Sequence, residues 1–441
     1  MKSLNVLSSL RRLQTTFKRV GSVRTYLCDS YRCQQSWENR LKSPLLIKLN
    51  LDELYHGIEQ RYNQDNTISG VDVEIFTCGV NEDVHLDEAE DLVHKLRLSG
   101  RAAELLPSTG HNLIRLLYQS GRTDEMVRIL HDRLNYGIFI DYHLSNVIMD
   151  DYLKTGKFAE AAKLAVLHGL QEDSSNSITS NLALTSCLQC FLKGVKWELE
   201  GPTPLEEPKE EVKVRVRFLR NPYFDNHFDL IDGNVLMGKT MAIIAPALEN
   251  AVLANSLELL GWIKFGDWNK VEKRLNELKS PVLREAVDLM LAHIAELDKE
   301  KLPESVAKSI ASLKTVDGNL LEEMEASLNE AVRKNESRDI EAQEKKYVEW
   351  EETRQKLLAK QLRESEIRHK MMEIEKKKEY LREREQLLTF FDKEDQYNLM
   401  LEDSQIEEEQ KKLTENKVVV EEEVYVPPEV VKRHTVKTKK V

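Results

Sequence analysis

Two stretches of this chain superimpose on each other at a shift of 35 residues, and that period limits the fold more than any other feature. Across residues 109–140 and 144–172, Gly121 meets Gly156, Arg122 meets Lys157, Met126 meets Ala161 and His111 meets Asn146. The apolar positions agree as well: Ile114 falls on Met149 and Leu117 on Tyr152. Each unit has the pattern of a helix, a glycine turn, a second helix and a closing loop. Glycine supplies the backbone freedom of the turn. The small or flexible residue five positions later, Met126 or Ala161, lets the two helices approach closely. Another step of 35 from Asn146 reaches Asn181, at the start of an apolar helix ending near Leu192, and upstream residues 86–96 resemble the second helix of a degenerate unit. One hairpin cannot bury its own apolar face, so such units are stable only when stacked. The expected fold is therefore all-α, a solenoid of helical hairpins.

The C-terminal quarter has a different character. Residues 318–416 are almost continuously charged and contain no proline, which predicts a long exposed helix supported by opposite charges three and four apart. Ile367, Ile374, Leu381 and Leu388 recur every seven residues with Met371 between the first two, but Lys378 and Glu385 occupy the companion positions. The seam is narrow, and both a single helix docked on a partner and a coiled coil satisfy it. Residues 417–441, with Pro427-Pro428 and a basic end, read as an extended tail. Between the two halves, Pro202, Pro204 and Pro208 among glutamates mark a linker over 201–222. The repeats are expected over 29–200 and a second helical-hairpin region over 223–317.

Residues 1–28 contain no Asp or Glu but carry Lys2, Arg11, Arg12, Lys18, Arg19 and Arg24. Leu4, Leu7, Leu13, Phe17 and Val20 fall near helical spacing, so one face is apolar and the other cationic. That is the physical form of a mitochondrial presequence, with Arg24-Thr25-Tyr26 as a cleavage neighbourhood. A basic arm binding RNA is the other reading of the same residues. Removal of the six cations would take the formal charge from −12 to −18 (−12 − 6), so nucleic-acid contact is expected to be local. No run of about 18 apolar residues predicts a membrane span. Five scattered cysteines do not form a disulfide framework.

Signs of catalysis are thin. Gly233-Asn-Val-Leu-Met-Gly238-Lys239-Thr240 matches the spacing of a nucleotide-binding P-loop. Its bulky apolar residues, and the absence of surrounding strand patterns, instead predict an apolar helix with Gly238 at a helix contact. Cys187 and Cys190 lack a second Cys/His pair at metal spacing and read as buried thiols on a helix face. The expectation is a binding protein, not an enzyme, with no cofactor, metal or small-molecule substrate.

The 35-residue length, the turn glycine, the small residue after it and the closing Tyr136-Gly-Ile-Phe-x-Asp141 together resemble the pentatricopeptide (PPR) repeat. In that family a polar residue early in the first helix and the residue closing the repeat contact one RNA base. The resemblance assigns these roles to His111 with Asp141, and to Asn146 with Asn176; as sequence, Asp141 equally suits a helix cap. Together with Tyr26-Leu27, Trp37-Glu38-x-Arg40, Asn146-x-x-Met149-Asp150, Lys154 and Gln171-Glu172, the pattern is similar to PPR-type proteins of the mitochondrial small ribosomal subunit. This implies a structural role in the matrix among small-subunit rRNA and neighbouring ribosomal proteins. A free PPR factor for transcript processing or stability is the alternative. A cationic stripe, Lys213, Arg215, Arg217 and Arg220, is the other candidate RNA contact, although its alternation also suits a short strand.

Overall fold

The computed structural model describes residues 26–81, 83–199, 230–278, 280–296, 304–389 and 393–418. The expected presequence therefore lies outside it except for Tyr26–Cys28, as do the 201–222 linker and most of the tail. Helices dominate, and no helix among the described residues is long and apolar enough to cross a membrane. Contacts divide the chain into two compact units, Met1–Leu358 and Ala359–Val441.

The first unit is a stack of antiparallel helices: α1 (Leu51–Asp65), α2 (Gly70–Gly79), α3 (Leu86–Leu98), α4 (Pro107–Ser120), α5 (Thr123–His131), α6 (Tyr142–Thr155), α7 (Phe158–Leu170) and α8 (Ser177–Leu192). The repeat glycines set the turns. Gly121 and Gly156 end α4 and α6 in the left-handed region, with φ of 81° and 73°. The next amide folds back in each case, Arg122 N–H to the Leu117 carbonyl at 3.0 Å and Lys157 N–H to Tyr152 at 2.9 Å. Met126 and Ala161, five positions on, are fully buried against the preceding helix. Helix starts are capped by side chains. Asp141 accepts from Leu144 N–H at 2.7 Å to start α6, and Asn176 accepts from Thr179 N–H at 2.9 Å to start α8.

The stack continues through α9 (Gly233–Ile244), α10 (Ala251–Phe265), α11 (Trp268–Glu277), α12 (Arg284–Glu296) and α13 (Glu304–Ala311). A two-residue parallel pairing joins β1 (Val282–Leu283) to β2 (Thr315–Val316). Residues on either side of 200–229 lie next to each other, since Leu199 N–H donates to the Ile231 carbonyl at 3.0 Å and Gly233 N–H to that of Trp197 at 3.1 Å. Helix α9 then packs directly on α7, where a Cβ at Gly169 would lie 2.4 Å from Thr240 Oγ1. The P-loop-like residues are the start of α9. Gly238 faces Gly261 of α10 so closely that a Cβ on Gly261 would sit 2.6 Å from the Gly238 carbonyl. Lys239 is buried with its ammonium 5.0 Å from the Phe265 ring centroid. Cys187 and Cys190 are fully buried free thiols, and burial raises the Cys190 thiol to about 11.

The charged region forms two helices, α14 (Leu320–Thr389) and α15 (Glu394–Val418). Within the first unit α14 is amphipathic: Leu320, Met324, Leu328, Ala331 and Val332 are buried in the same continuous core as the repeats. Beyond Leu358 its described side chains are exposed, or nearly so.

Because Gly156 has empty space around it but φ near +73°, backbone conformation alone decides the effect of a side chain there. Gly156→Ala should destabilise the chain by about 1–2 kcal/mol, the cost of a left-handed non-glycine residue. Denaturant midpoints would check this; an unchanged midpoint refutes the turn's role.

A candidate binding groove and what fills it

Steps of 35 residues put His111, Asn146 and Asn181 on successive first helices, α4, α6 and α8, and all three side chains are buried. The inner face they share is covered by α14. From its N-terminus onward, α14 meets the stack in reverse order. Leu320 N–H donates to Glu285 (2.6 Å), Ser327 Oγ to Asn181 Oδ1 (2.7 Å), and Asp339 accepts from Asn176 Nδ2 (3.0 Å). Tyr347 Oη then contacts His111 Nε2 (3.1 Å) and accepts from Arg115 (2.7 Å), and Arg354 finally reaches Glu74 (3.0 Å). Such hydrogen bonds require a fixed register, which apolar contacts alone would not impose.

A second segment lies in the groove beside α14. Cys28 N–H donates to Glu336, Ser36 Oγ to Glu344 and Ser43 Oγ to Glu351, a constant offset of 308 residues. The segment therefore runs in the same direction as the helix. Its opening residues are held by the stack, with Tyr26 N–H on Asp150 at 3.1 Å and Leu27 buried. Tyr31 Oη accepts from Asn146 Nδ2 at 2.8 Å, and its ring stacks on His143 with centroids 5.3 Å apart.

Trp37 sits at the centre. The Arg40 guanidinium lies 3.6 Å from its ring centroid and that of Arg115 at 4.8 Å, while His111 meets it edge-on. Arg40 also donates to the Cys78 and Val80 carbonyls at 3.2 and 3.0 Å, capping the end of α2. Burial lowers Arg40 to about 10, so it still holds its proton at neutral pH. Burial pushes the Asp141 carboxyl up, but the hydrogen-bonded His111 and the Leu144 amide outweigh this and hold it below the usual carboxylate range. Burial raises Tyr347 to about 12, which keeps it a phenol.

Glu74 and Arg354 form a buried ion pair, with side-chain exposures of 0% and 5%. Thr109 Oγ1 donates to the second Glu74 oxygen at 2.5 Å, and Arg354 also reaches Glu351. The pair is thus satisfied from both sides, as a buried charge requires.

The four residues assigned to base contact by their repeat positions are each engaged within the chain. His111 and Asp141 are hydrogen-bonded to one another, Asn146 lies under Tyr31, and Asn176 joins its cap role to Asp339. Lys213, Arg215, Arg217 and Arg220 lie outside the described residues. Repeat reasoning did not find Arg115, Tyr347 or the Glu74–Arg354 pair. The available signal was Glu74 itself, a carboxylate flanked by Val73, Ile75 and Phe76.

The sequence matches the family described as mitochondrial 28S ribosomal protein S27 over residues 3–380. The chain belongs to that family. It is accordingly a protein of the mitochondrial small ribosomal subunit, and the matched span includes the repeats, both groove-filling segments and α14 as far as Tyr380.

Two measurements test this S27-family groove. Arg354→Ala leaves Glu74 buried without its ion-pair partner and should cost about 3–5 kcal/mol. The exposed Lys356→Ala should cost under about 1 kcal/mol. Equal losses would show that the ion pair does not hold the helix. The second test is pH. Burial lowers His143 to about 3 and His168 to about 4, whereas an unfolded histidine titrates near 6.5. The unfolded chain therefore takes up protons that the folded chain refuses, and stability falls as pH drops from about 6.5 towards 4. His143→Gln keeps a donor for the Tyr31 carbonyl and should flatten that fall; an unchanged slope would count against a neutral, buried His143.

Proposed function

We propose that this S27-family protein acts as a non-catalytic scaffold in the small ribosomal subunit of the mitochondrial matrix, binding small-subunit rRNA and neighbouring ribosomal proteins. The observation that carries the reading is the filled groove. The face that a repeat protein would present to a ligand is spent on seating the chain's own N-terminal segment and α14. The repeats then serve to fix the position of a long helix, and a large particle has use for that.

RNA contact in this reading falls to the cationic stripe Lys213, Arg215, Arg217 and Arg220. In sequence this stripe lies between Leu199 and Ile231, which are hydrogen-bonded to one another. Contacts of this kind are to phosphate and carry no sequence code. His111, Asp141, Asn146 and Asn176 then act in holding the fold together.

The test is fractionation of mitochondrial lysate in a high-salt gradient. The tagged chain should travel with the small subunit, and a chain confined to light fractions refutes the scaffold. On the isolated subunit, replacing the four stripe cations by Glu should lower ultraviolet cross-linking to rRNA several-fold, whereas Asn176→Ala should leave it unchanged. Cross-links concentrated on one messenger and lost with Asn176→Ala would instead support a free transcript-processing factor.

A further inference from the structure

The N-terminal segment meets the stack at a buried carboxylate. The Asp150 side chain of α6 is 3% exposed, and one of its oxygens accepts from the Tyr26 backbone N–H at 3.1 Å. Lys154 pairs with the other oxygen at 2.6 Å, but it also lies 3.5 Å from Asp151. Burial pushes the Asp150 carboxyl up in spite of that lysine. Two carboxylates of α14 stand at the same end of the segment. Glu325 accepts from Tyr26 Oη at 3.4 Å, and Glu336 from Cys28 N–H at 2.7 Å. Neither has an ion-pair partner among the described residues. Three carboxylates thus meet Tyr26 and Cys28 with one shared lysine among them. A neutral amide is a weak partner for a buried charge.

We propose that the chain is cut between Thr25 and Tyr26, and that the new Tyr26 ammonium locks into an ion pair with Asp150. A peptidase hydrolyses this amide with water. The water oxygen adds to the Thr25 carbonyl carbon, the C–N bond breaks, and the nitrogen leaves with the water's protons. The products are a carboxylate on Thr25 and an ammonium on Tyr26. The nitrogen has no distance to travel, because it already lies within hydrogen-bond reach of Asp150 Oδ1. Position selects this bond. A cut after Tyr26 discards the contacts to Asp150 and Glu325, and a cut before Thr25 leaves the charge a full residue upstream of the carboxylate. Residues 1–25 carry all six cations of the acid-free start, Arg24 being the last. The same cut therefore sheds a cationic segment and installs one positive charge where carboxylates are in excess. Shedding that segment and closing the groove become coupled, since the ammonium strengthens a contact that seats the chain on α6. The inference rests on the matrix reading solely for the peptidase that makes the cut.

The experiment has two arms. The chain is isolated from mitochondria, its α-amino group is isotopically labelled, and its N-terminal peptide is read by mass spectrometry. That peptide should begin at Tyr26; a start at any other residue overturns the proposal. In the second arm the chain that the cut leaves, Tyr26–Val441, is assembled by ligation at Cys28 with Tyr26 either free or acetylated. Acetylation keeps an N–H for Asp150 and removes the charge. At pH 7 it should raise the unfolding equilibrium constant about fivefold to tenfold, the gap between a charged and a neutral hydrogen bond. In Asp150→Asn the same acetylation should change that constant less than about twofold. No effect of acetylation in the unaltered sequence, or an equal effect in Asp150→Asn, refutes the ion pair. Should Asp150→Asn fail to fold, the first comparison decides alone. A chain that starts elsewhere yet travels with the small subunit removes this inference and leaves the scaffold standing. One that starts at Tyr26 but stays in light fractions does the reverse.

Discussion

A stack of helical hairpins has an inner face, and the central constraint in this molecule is that the face is both apolar and strongly polar. Asn146, His111, Arg115 and Glu74 are buried along it, and each would be costly if left without a partner in a dry interior. The chain solves this with two of its own segments. Helix α14 supplies Tyr347 and Arg354, and the N-terminal segment supplies Tyr31 and the Trp37 ring. These groups give α14 its register, and the register decides which stretch of that helix is buried in the first unit. Removing the polar partners would leave an amphipathic helix held by apolar contacts alone and free to slide by a turn.

Much of the scaffold was legible in the sequence because it depends on local rules. The 35-residue step found Gly121 and Gly156, and both prove to be left-handed turn residues with the same backbone closure. Bulky residues inside the P-loop-like match argued for a helix, and Gly238 does lie at the tight crossing with α10. The Cys187–Cys190 spacing on an apolar helix pointed to buried thiols, as found. In each case the deciding neighbours lie a few residues away or recur with the period.

The contents of the groove were not legible, for a physical reason. Arg354 stands among alternating charges, and nothing near it in sequence separates it from the solvated Lys356. Its partner Glu74 is 280 residues away. Likewise, a polar residue at the fifth position of a repeat's first helix has the same local pattern whether it meets an RNA base or, as Asn146 does, the Tyr31 hydroxyl. Periodicity identifies a face; it does not identify what lies on that face. The one positional hint, the Glu74 carboxylate between Val73 and Ile75, pointed to a partner without showing which.

The order of these parts along the chain has a consequence for how the molecule is made. The repeats that form the groove come first, and the helix that closes it comes last, so the inner face stays open until residue 354 or thereabouts has been synthesised. The contacts that complete the core are among the longest-range in the chain, and closing such a loop is entropically slow compared with forming any hairpin. A chain interrupted before α14 would hold a nearly complete stack with polar and apolar groups displayed together. Chaperones and proteases recognise such a surface, so the seating of α14 also marks a completed core.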